Sequence, residues 1–201
     1  MFTGIIQSVG NIAALEPRGG DLRLRIRSGG LSMQDAAIGD SIAVEGVCLT
    51  VVTLDDDGFE ADISRETLGL TTLGSKPVGA RINLEKALTL GQPLGGHLLS
   101  GHVDGLGRLL SSRQDARSTR LEFEAPAELA RYIARKGSIA VNGVSLTVNI
   151  ASASEFDVNL VPHTLSATTL AALKPGDAVN LEVDQIARYL ERLMNKDERP
   201  S

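Results

Sequence analysis

Residues 41–51 read SIAVEGVCLTV, and residues 138–148 read SIAVNGVSLTV, a copy displaced by 97 positions that differs at two of eleven places. The same displacement aligns three further pairs of segments: FTGIIQSVG at 2–10 with LSGHVDGLG at 99–107, ETLGLTTL at 66–73 with HTLSATTL at 163–170, and NLE at 83–85 with NLE at 180–182. Each half is therefore roughly 90 residues long, which is too long for a solenoid repeat and suits a small domain. We predict two copies of one domain in a pseudo-two-fold arrangement, either within the chain or between subunits.

Short strand patterns dominate each half. Residues 22–27 and 81–85 alternate apolar and polar side chains, and residues 41–53 are rich in β-branched side chains around Gly46. A DDDG turn at 55–58 and its counterpart at 152–155 lie next to a phenylalanine and predict a hairpin in each half. About six short strands per half predict an all-β fold of two small closed antiparallel barrels, because closure leaves no exposed strand edge. A β-sandwich is the alternative.

Helical patterns occur at three places. Residues 32–37 and 126–134 each suit a short helix, the second with Pro126 in its first turn. Residues 184–196, DQIARYLERLMNK, predict an amphipathic helix whose apolar face is formed by Ile186, Tyr189, Leu190, Leu193 and Met194. Because this segment has no counterpart in the first half, we expect its apolar face to be covered by the barrels or by the same helix of other subunits.

Composition excludes several classes of function. The chain has 201 residues, 42% of them hydrophobic, and a formal charge of −5, so it is a folding chain without the basic surface that binds a nucleic-acid backbone. No apolar stretch approaches the roughly 20 residues that span a bilayer, and the N-terminal residues lack the features of a signal peptide. We therefore predict a cytoplasmic protein with no nucleic-acid or membrane partner. No phosphate-binding loop follows a predicted strand, which disfavours nucleotide chemistry.

The repeat also locates candidate polar contacts for a ligand. Cys48 aligns with Ser145, and each is followed by Leu-Thr, so short polar side chains recur on a rigid strand beside Thr50 and Thr147. The alternative for Cys48 is simple packing, because free cysteine is among the most buried residue types. Residues 62–67 align with 159–164, and their extended backbone can pair edgewise with a heterocycle or form an ordinary strand end with a threonine cap.

Two of the three histidines lie in GGHLLSGHVDG at residues 95–105. His102 aligns with the apolar Ile5, so the second half has gained a titratable group there, and we favour a functional role. For His97 we favour a structural role, as the cap of a turn in an interdomain linker, with His102 beginning the next strand. The spacing of five residues and the single cysteine argue against a metal site.

Four motifs in this order, MFTGII, EGVCLTV, GGHLLSGHVDG and NGVSLTV, make the chain resemble the riboflavin synthase family, the trimeric type with two lumazine-binding repeats. The resemblance implies two tandem six-stranded Greek-key barrels, over residues 1–96 and 97–184, followed by a trimerisation helix and tail over 185–201. It also implies an active site shared between the first barrel of one subunit and the second barrel of its neighbour. The expected reaction converts two molecules of 6,7-dimethyl-8-ribityllumazine into riboflavin and 5-amino-6-(D-ribitylamino)uracil, without metal, nucleotide or flavin. An association with lumazine synthase is left open.

The resemblance also implies which residues contact substrate. Phe2, Ser41, Cys48 and His102 are the expected catalytic residues, since an imidazole can exchange a proton near neutral pH and a hydroxyl or thiol can assist nucleophilic addition. In the first barrel the expected substrate contacts are Gly4, Ile5, Ile6, Cys48, Leu49, Thr50, Asp62, Ile63, Ser64, Arg65, Glu66 and Thr67. In the second barrel they are Gly101, His102, Val103, Lys136, Ser145, Leu146, Thr147, Asn159, Leu160, Val161, Pro162, His163 and Thr164.

The competing hypothesis is a non-catalytic antenna protein of the same fold that binds a lumazine or a flavin. Such proteins are expected to lose polar catalytic residues and one of the two equivalent sites, whereas this chain keeps Ser41, Cys48, Thr50 and His102. A third hypothesis, a duplicated barrel that serves only as an interaction module, leaves the repeated polar residues unexplained. The sequence therefore favours the enzyme.

Overall fold

A computed structural model describes residues 1–194. It contains two closed barrels of six antiparallel strands each, so the predicted barrel fold is confirmed and the sandwich alternative is wrong. The strands of the first barrel are β1 (Ser8–Arg18), β2 (Asp21–Arg27), β3 (Ser41–Val44), β4 (Val47–Asp55), β5 (Gly58–Ile63) and β6 (Arg81–Lys86). Those of the second barrel are β7 (Gly105–Asp115), β8 (Ser118–Glu124), β9 (Ser138–Val141), β10 (Val144–Ala151), β11 (Glu155–Leu160) and β12 (Ala178–Val183).

Both barrels share one strand order. The first runs β1-β2-β5-β4-β3-β6 and closes by pairing β1 with β6, and the second repeats the same cyclic order. Because β2 pairs with β5 and β3 pairs with β6, the connections are those of a Greek key. The two predicted hairpins are present as β4–β5 and β10–β11. Alternating side chains fill each barrel, and in the second the rings of Phe123 and Phe156 stack with centroids 5.4 Å apart.

The helices are short and lie outside the barrels. They are α1 (Arg65–Leu70), α2 (Ala127–Ala130), α3 (Pro162–Ala167) and α4 (Gln185–Met194), and 3-10 turns at Thr72–Ser75 and Thr169–Ala172 follow α1 and α3. The helix predicted at residues 32–37 is wrong: the segment forms turns, since Leu31 and Met33 are both buried in the first core at a spacing that a helix does not place on one face. The helix predicted at 126–134 is limited to α2. The C-terminal helix is confirmed as α4, and residues 195–196 of that prediction lie outside the described residues.

Paired glycine turns hold the two barrels against each other. Glu45–Gly46 and Asn142–Gly143 form the two-residue turns of the β3–β4 and β9–β10 hairpins, with φ values of 50°, 82°, 48° and 79°. A Cβ built on Gly46 would lie 2.7 Å from the backbone nitrogen of Gly143, and the reverse distance is the same. The turns therefore pack backbone to backbone across the pseudo-two-fold axis.

Side-chain amides form hydrogen bonds across the contact between these two turns, which we call the seam. The Asn83 Nδ2 donates to the carbonyl oxygen of Asn142 at 3.0 Å, while the Asn83 Oδ1 accepts from the Thr169 N–H at 2.8 Å. Asn180 makes the corresponding contacts with the first half, at 2.8 Å and 2.7 Å. Each asparagine is buried, so these bonds satisfy polar groups that would otherwise be costly to desolvate.

Glu45 breaks the symmetry of the seam. Its side chain is fully buried, accepts from the backbone N–H of Asn83 at 2.7 Å and lies 3.0 Å from the ammonium of Lys76. Burial raises the pKa of this carboxyl, and Lys76 opposes the rise. The second repeat has Asn142 at the same position, whose Oδ1 accepts from a backbone N–H without a charge.

Candidate active site

In each barrel, the pairing of the fourth and fifth strands ends where the predicted substrate contacts begin. The β4–β5 register runs from Asp55↔Gly58 to Val51↔Ala61, and the β10–β11 register ends at Val148↔Val158. Just past these last pairs lie residues 48–50 and 62–67 of the first barrel and residues 145–147 and 159–164 of the second. This is the location at which the sequence analysis predicts edgewise pairing with a heterocycle, and that pairing stays a prediction.

The segments before β1 and β7 cross between the barrels. The backbone N–H of Cys48 in the first barrel donates to the carbonyl oxygen of Gly101 at 2.8 Å, and the N–H of Ser145 in the second donates to that of Gly4 at 2.9 Å. The structure therefore corrects the grouping of these stretches by barrel: Gly4 lies beside the second barrel and Gly101 beside the first. Contact of residues 4–6 and 101–103 with substrate stays a prediction. Residues 101–103 lie against the strand that carries Cys48, and residues 4–6 lie against the strand that carries Ser145. We call these two groups the Cys48 half-site and the Ser145 half-site of the candidate active site.

The crossing is anchored on the pseudo-two-fold axis. Phe2 and Leu99, which are equivalent in the repeat, form an antiparallel bridge with N···O distances of 2.8 Å and 3.0 Å. Both side chains are buried in a small cluster with Ala43 and Ala140, against which Cys48 packs. Because each segment bridges its own counterpart, the exchange is reciprocal and produces two similar half-sites.

Two glycines allow this close approach. A Cβ on Gly101 would lie 2.7 Å from the Cβ of Cys48 and 2.9 Å from the Cε2 of Phe2, and a Cβ on Gly4 would lie 2.5 Å from the Cβ of Ser145. Both glycines also have φ near +77°, a conformation that other residues rarely adopt. A side chain at either position would therefore push the crossing segment away from the strand it contacts.

A buried carboxylate holds each crossing segment. Glu85 accepts from the backbone N–H groups of Thr3 and Gly4 and from the Thr3 hydroxyl, at 2.6–3.0 Å. Glu182 accepts in the same way from Ser100 and Gly101. Burial raises the pKa of both carboxyls, and the donated hydrogen bonds oppose that rise. Sequence reasoning missed these positioning residues, although the exact repeat of Asn-Leu-Glu pointed to them.

Cys48 and Thr50 lie on the outer face of β4, because the alternating Val47 and Leu49 point into the barrel core. Cross-strand pairing places Ala43 opposite Cys48, and Ser41 opposite Thr50. Ser41 also lines a cavity of about 440 Å³ with Lys86 and other polar residues. The half-site is thus an outward-facing row of small side chains on two adjacent strands.

His102 is exposed and lies in the loop before β7, so the expectation that it begins a strand is wrong. It lines a second cavity, of about 550 Å³, together with Asp104 and Arg188 of α4. Burial raises the pKa of Asp104, which also forms an ion pair with Arg188. Of the four predicted catalytic residues, the structure brings Phe2 and Cys48 together next to Gly101, whereas Ser41 and His102 open into different cavities of the single chain.

Residues 62–67 continue β5 into α1. The carboxylate of Asp62 pairs with Arg23 at 2.6 Å, and this side-chain hydrogen bond lowers its pKa. The threonine cap expected for this stretch is wrong, because the Ser64 hydroxyl caps α1 by accepting from the Thr67 N–H. The first half-site therefore has a fixed carboxylate at its edge.

The second half-site differs at this edge. Asn159 replaces the carboxylate, and the arginine equivalent to Arg23, Arg120, pairs with Asp157 at 2.7 Å. Lys136 has φ +66° at the position where the first repeat has Gly39. An uncommon backbone conformation held by a lysine is a feature that functional sites often show. The second half-site thus has an exposed amide, Asn159, where the first has a carboxylate.

His97 is buried against this second half-site. Its Nδ1 lies 2.7 Å from the Ser145 Oγ, and its side chain is 8% exposed. A turn cap is the role predicted for His97 from the sequence. The observed partner of its side chain is Ser145, a predicted ligand contact. The repeat gave no signal for this contact, since at a displacement of 97 His97 has no counterpart in the first half.

Among residues 1–194, every helix is too short or too polar to span a membrane. No group of three or more His, Cys, Asp or Glu side chains in the same range is arranged to hold a metal ion. The expectation of metal-independent chemistry stays a prediction.

Comparison with known proteins agrees with this geometry. The sequence-family model of the lumazine binding domain matches this chain twice, at residues 3–87 and 100–184. The riboflavin synthase of Photobacterium phosphoreum is 45% identical over 98% of this chain and 90% of its own length, and that of Brucella abortus is 46% identical over 96% and 98%. The crystal structure of LumP complexed with 6,7-dimethyl-8-(1'-D-ribityl) lumazine superposes with a TM-score of 0.82 at 26% identity, covering 91% of this chain and 99% of that one. LumP complexed with riboflavin gives 0.83 at 29% identity with the same coverage. The chain belongs to the riboflavin synthase family and carries two lumazine binding domains.

Proposed function

We propose that this protein is a riboflavin synthase, which converts two molecules of 6,7-dimethyl-8-ribityllumazine into riboflavin and 5-amino-6-(D-ribitylamino)uracil. The observation that carries the proposal is the pair of repeat-related half-sites around Cys48 and Ser145, in a chain with 45–46% identity to riboflavin synthases. A dismutation joins two identical molecules, and a duplicated domain supplies two similar pockets for them. Holding two reactants in contact can supply effective molarities of about 10⁵ M or more.

The residues divide into binding and chemistry. We assign substrate binding to the stretches past the end of each strand ladder, together with the crossing segments and Lys136. His102 carries the proton between solvent and the acidic C7 methyl group of one lumazine, as its exposed imidazole permits. Ser41 or Cys48 assists addition at C7 of the other lumazine, and Phe2 packs beside Cys48 to shape the pocket.

A site shared between subunits of a homotrimer would bring the first-barrel half-site of one subunit against the second-barrel half-site of its neighbour, as a reaction of two identical molecules requires. The apolar face of α4 supports the same assembly, since Leu190 and Leu193 are 52% and 74% exposed. Replacing both by Glu should give monomers with little activity, because burying a charge in a helical seam costs several kcal/mol. Val78→Glu, at an exposed apolar residue distant in sequence from α4, is the control and should leave the trimer intact. A fully active monomer, by light scattering and assay, would contradict the shared site.

A lumazine-binding protein without turnover is the second candidate, because the LumP complexes hold a lumazine and riboflavin in the same fold. Identity to those structures is 26–29%, well below the values for the riboflavin synthases, which favours the enzyme. The deciding experiment incubates purified protein with the lumazine alone in the presence of EDTA and follows riboflavin fluorescence. Riboflavin formation is expected, and tight binding without product would decide for the second candidate. The predicted cytoplasmic location stays a prediction.

A further inference from the structure

His97 and Ser145 form a buried pair that has no counterpart in the other half-site. The glycines at 95–96 allow the approach, since a Cβ on Gly96 would lie 2.1 Å from the carbonyl oxygen of Thr3 and 3.0 Å from the Ser145 Oγ. The backbone N–H of His97 donates to that same carbonyl oxygen at 3.1 Å, which fixes the backbone beside Ser145. In the part of the chain that the structure describes, no side chain donates to the thiol of Cys48 in this way.

The burial of the imidazole favours one direction for the His97–Ser145 hydrogen bond. Burial disfavours the charged form of His97 and lowers its pKa, an effect that Asp184 opposes. A neutral imidazole has a single N–H. Its Nε2 is buried and has no hydrogen-bond partner among residues 1–194. A buried N–H without an acceptor is rarer than a buried acceptor without a donor. The unpartnered Nε2 therefore favours a proton on Nδ1, with Nδ1–H donating to the Ser145 Oγ.

This direction leaves the hydroxyl proton of Ser145 unused by His97. A hydroxyl has one proton and two lone pairs, so Ser145 accepts from His97 and still donates elsewhere. The equivalent Cys48 offers only a weak S–H donor. The two half-sites therefore differ in hydrogen-bond character, although their backbones are related by the repeat.

We propose that His97 is a positioning residue that holds Ser145 as a hydrogen-bond donor to an acceptor atom, a carbonyl oxygen or a ring nitrogen, of the heterocycle in the second half-site. This proposal rests on the proposed function for the identity of the heterocycle. It predicts that the two half-sites of one chain bind the same ligand unequally, with the Ser145 half-site dependent on the imidazole.

The first test reads the proton position without any ligand. Long-range ¹H–¹⁵N correlation spectra of the full chain distinguish the two imidazole tautomers, and the absence of one signal set in His97→Asn assigns His97 among the three histidines. The Nδ1–H tautomer is expected. An Nε2–H tautomer, or a charged ring at neutral pH, would overturn the proposal whatever the enzyme does.

The second test measures binding of riboflavin by quenching of its fluorescence, fitted with two sites per chain. His97→Ala and Ser145→Ala should each weaken one site about tenfold and leave the other unchanged, a size typical of one lost hydrogen bond. The double variant should be no weaker than Ser145→Ala, because the imidazole acts through the serine. Cys48→Ala is the matched control and should affect only the other site.

His97→Asn separates positioning from folding. An Asn amide places an N–H donor near the position of Nδ1, so this variant should retain affinity within about twofold of the parent chain. Equal weakening in His97→Asn and His97→Ala would reduce His97 to a packing role and overturn the proposal, as would unchanged binding in His97→Ala. KM should rise in His97→Ala with little change in kcat. If the parent chain binds riboflavin but makes none from lumazine, the proposed function fails while the positioning proposal is still decided by these variants.

Discussion

Gly46→Ala tests whether the backbone contact between the two β-turns holds the barrels together. Gly46 has φ +82°, so alanine there adopts the left-handed conformation at a cost of about 1–2 kcal/mol. Its Cβ would also lie 2.7 Å from the nitrogen and 2.9 Å from the Cα of Gly143, which are backbone atoms of the opposite barrel. Relief of this contact requires the two barrels to move apart by several tenths of an ångström.

The cost of that movement follows from the bonds that cross the seam beside these turns. The Nδ2 groups of Asn83 and Asn180 each donate to a carbonyl oxygen of the opposite turn at 2.8–3.0 Å. With about 1 kcal/mol net for each bond that is stretched, the total for Gly46→Ala is about 3–4 kcal/mol. Gly79→Ala is a matched control, because Gly79 has φ +87° and an added Cβ there meets nothing within 4 Å. Gly79→Ala should therefore lose only the conformational contribution to stability, about 1–2 kcal/mol.

The assay is thermal unfolding followed by circular dichroism, with riboflavin formation measured on the same samples. At roughly 2–4 °C per kcal/mol for a chain of this size, Tm should fall by about 5 °C for Gly79→Ala and about 10 °C for Gly46→Ala. Activity should fall further in Gly46→Ala, since each half-site includes a segment of the opposite half of the chain. Equal Tm losses in the two variants, with activity unchanged, would refute the view that the seam contact is tight and functional.

Two further predictions use single side chains. Burial raises the pKa of Glu45 in the folded chain, so the folded state retains a proton that the unfolded state loses. The stability of the parent chain relative to Glu45→Gln should therefore fall as pH rises above the ordinary range of a glutamate. Urea unfolding at a series of pH values measures this difference, with the exposed Glu128→Gln as control, and a constant or rising difference would contradict the prediction. His102→Gln and Cys48→Ser should lower kcat much more than they weaken substrate binding, whereas Ser145→Ala should mostly raise the dissociation constant for substrate. Equal losses of kcat in all three variants would contradict unequal roles for the half-sites.

The internal repeat made the architecture predictable, because the same alternating and turn patterns occur twice and reinforce each other. The short helices were less predictable. Residues 32–37 suit a helix by composition, yet Met33 within them and Leu31 before them are buried in the barrel core, so tertiary packing overrides local preference. The α2 helix ends after one turn, and the chain continues to β9 through turns closed by hydrogen bonds from the N–H groups of Tyr132, Ile133 and Gly137.

The repeat does not predict which residues make up each half-site. Alignment at a fixed displacement shows that Gly4 and Gly101 are equivalent, and it carries no information on which barrel each contacts. The hydrogen bonds from Ser145 to Gly4 and from Cys48 to Gly101 follow from the Phe2–Leu99 bridge, which is a contact between two copies of one segment. Self-pairing of this kind depends on the arrangement of the domains, which a pattern within each domain does not encode.

The exchange of segments has a consequence for the chemistry of a duplicated enzyme. If each barrel completed its own pocket, the two pockets would be free to diverge until one lost its function. Here the Cys48 half-site needs residues 101–103 and the Ser145 half-site needs residues 4–6, so a shift of either barrel disturbs both pockets at once. The side chains around the two half-sites differ, as His97 beside Ser145 shows, so we expect two pockets of similar shape to take different roles in the reaction.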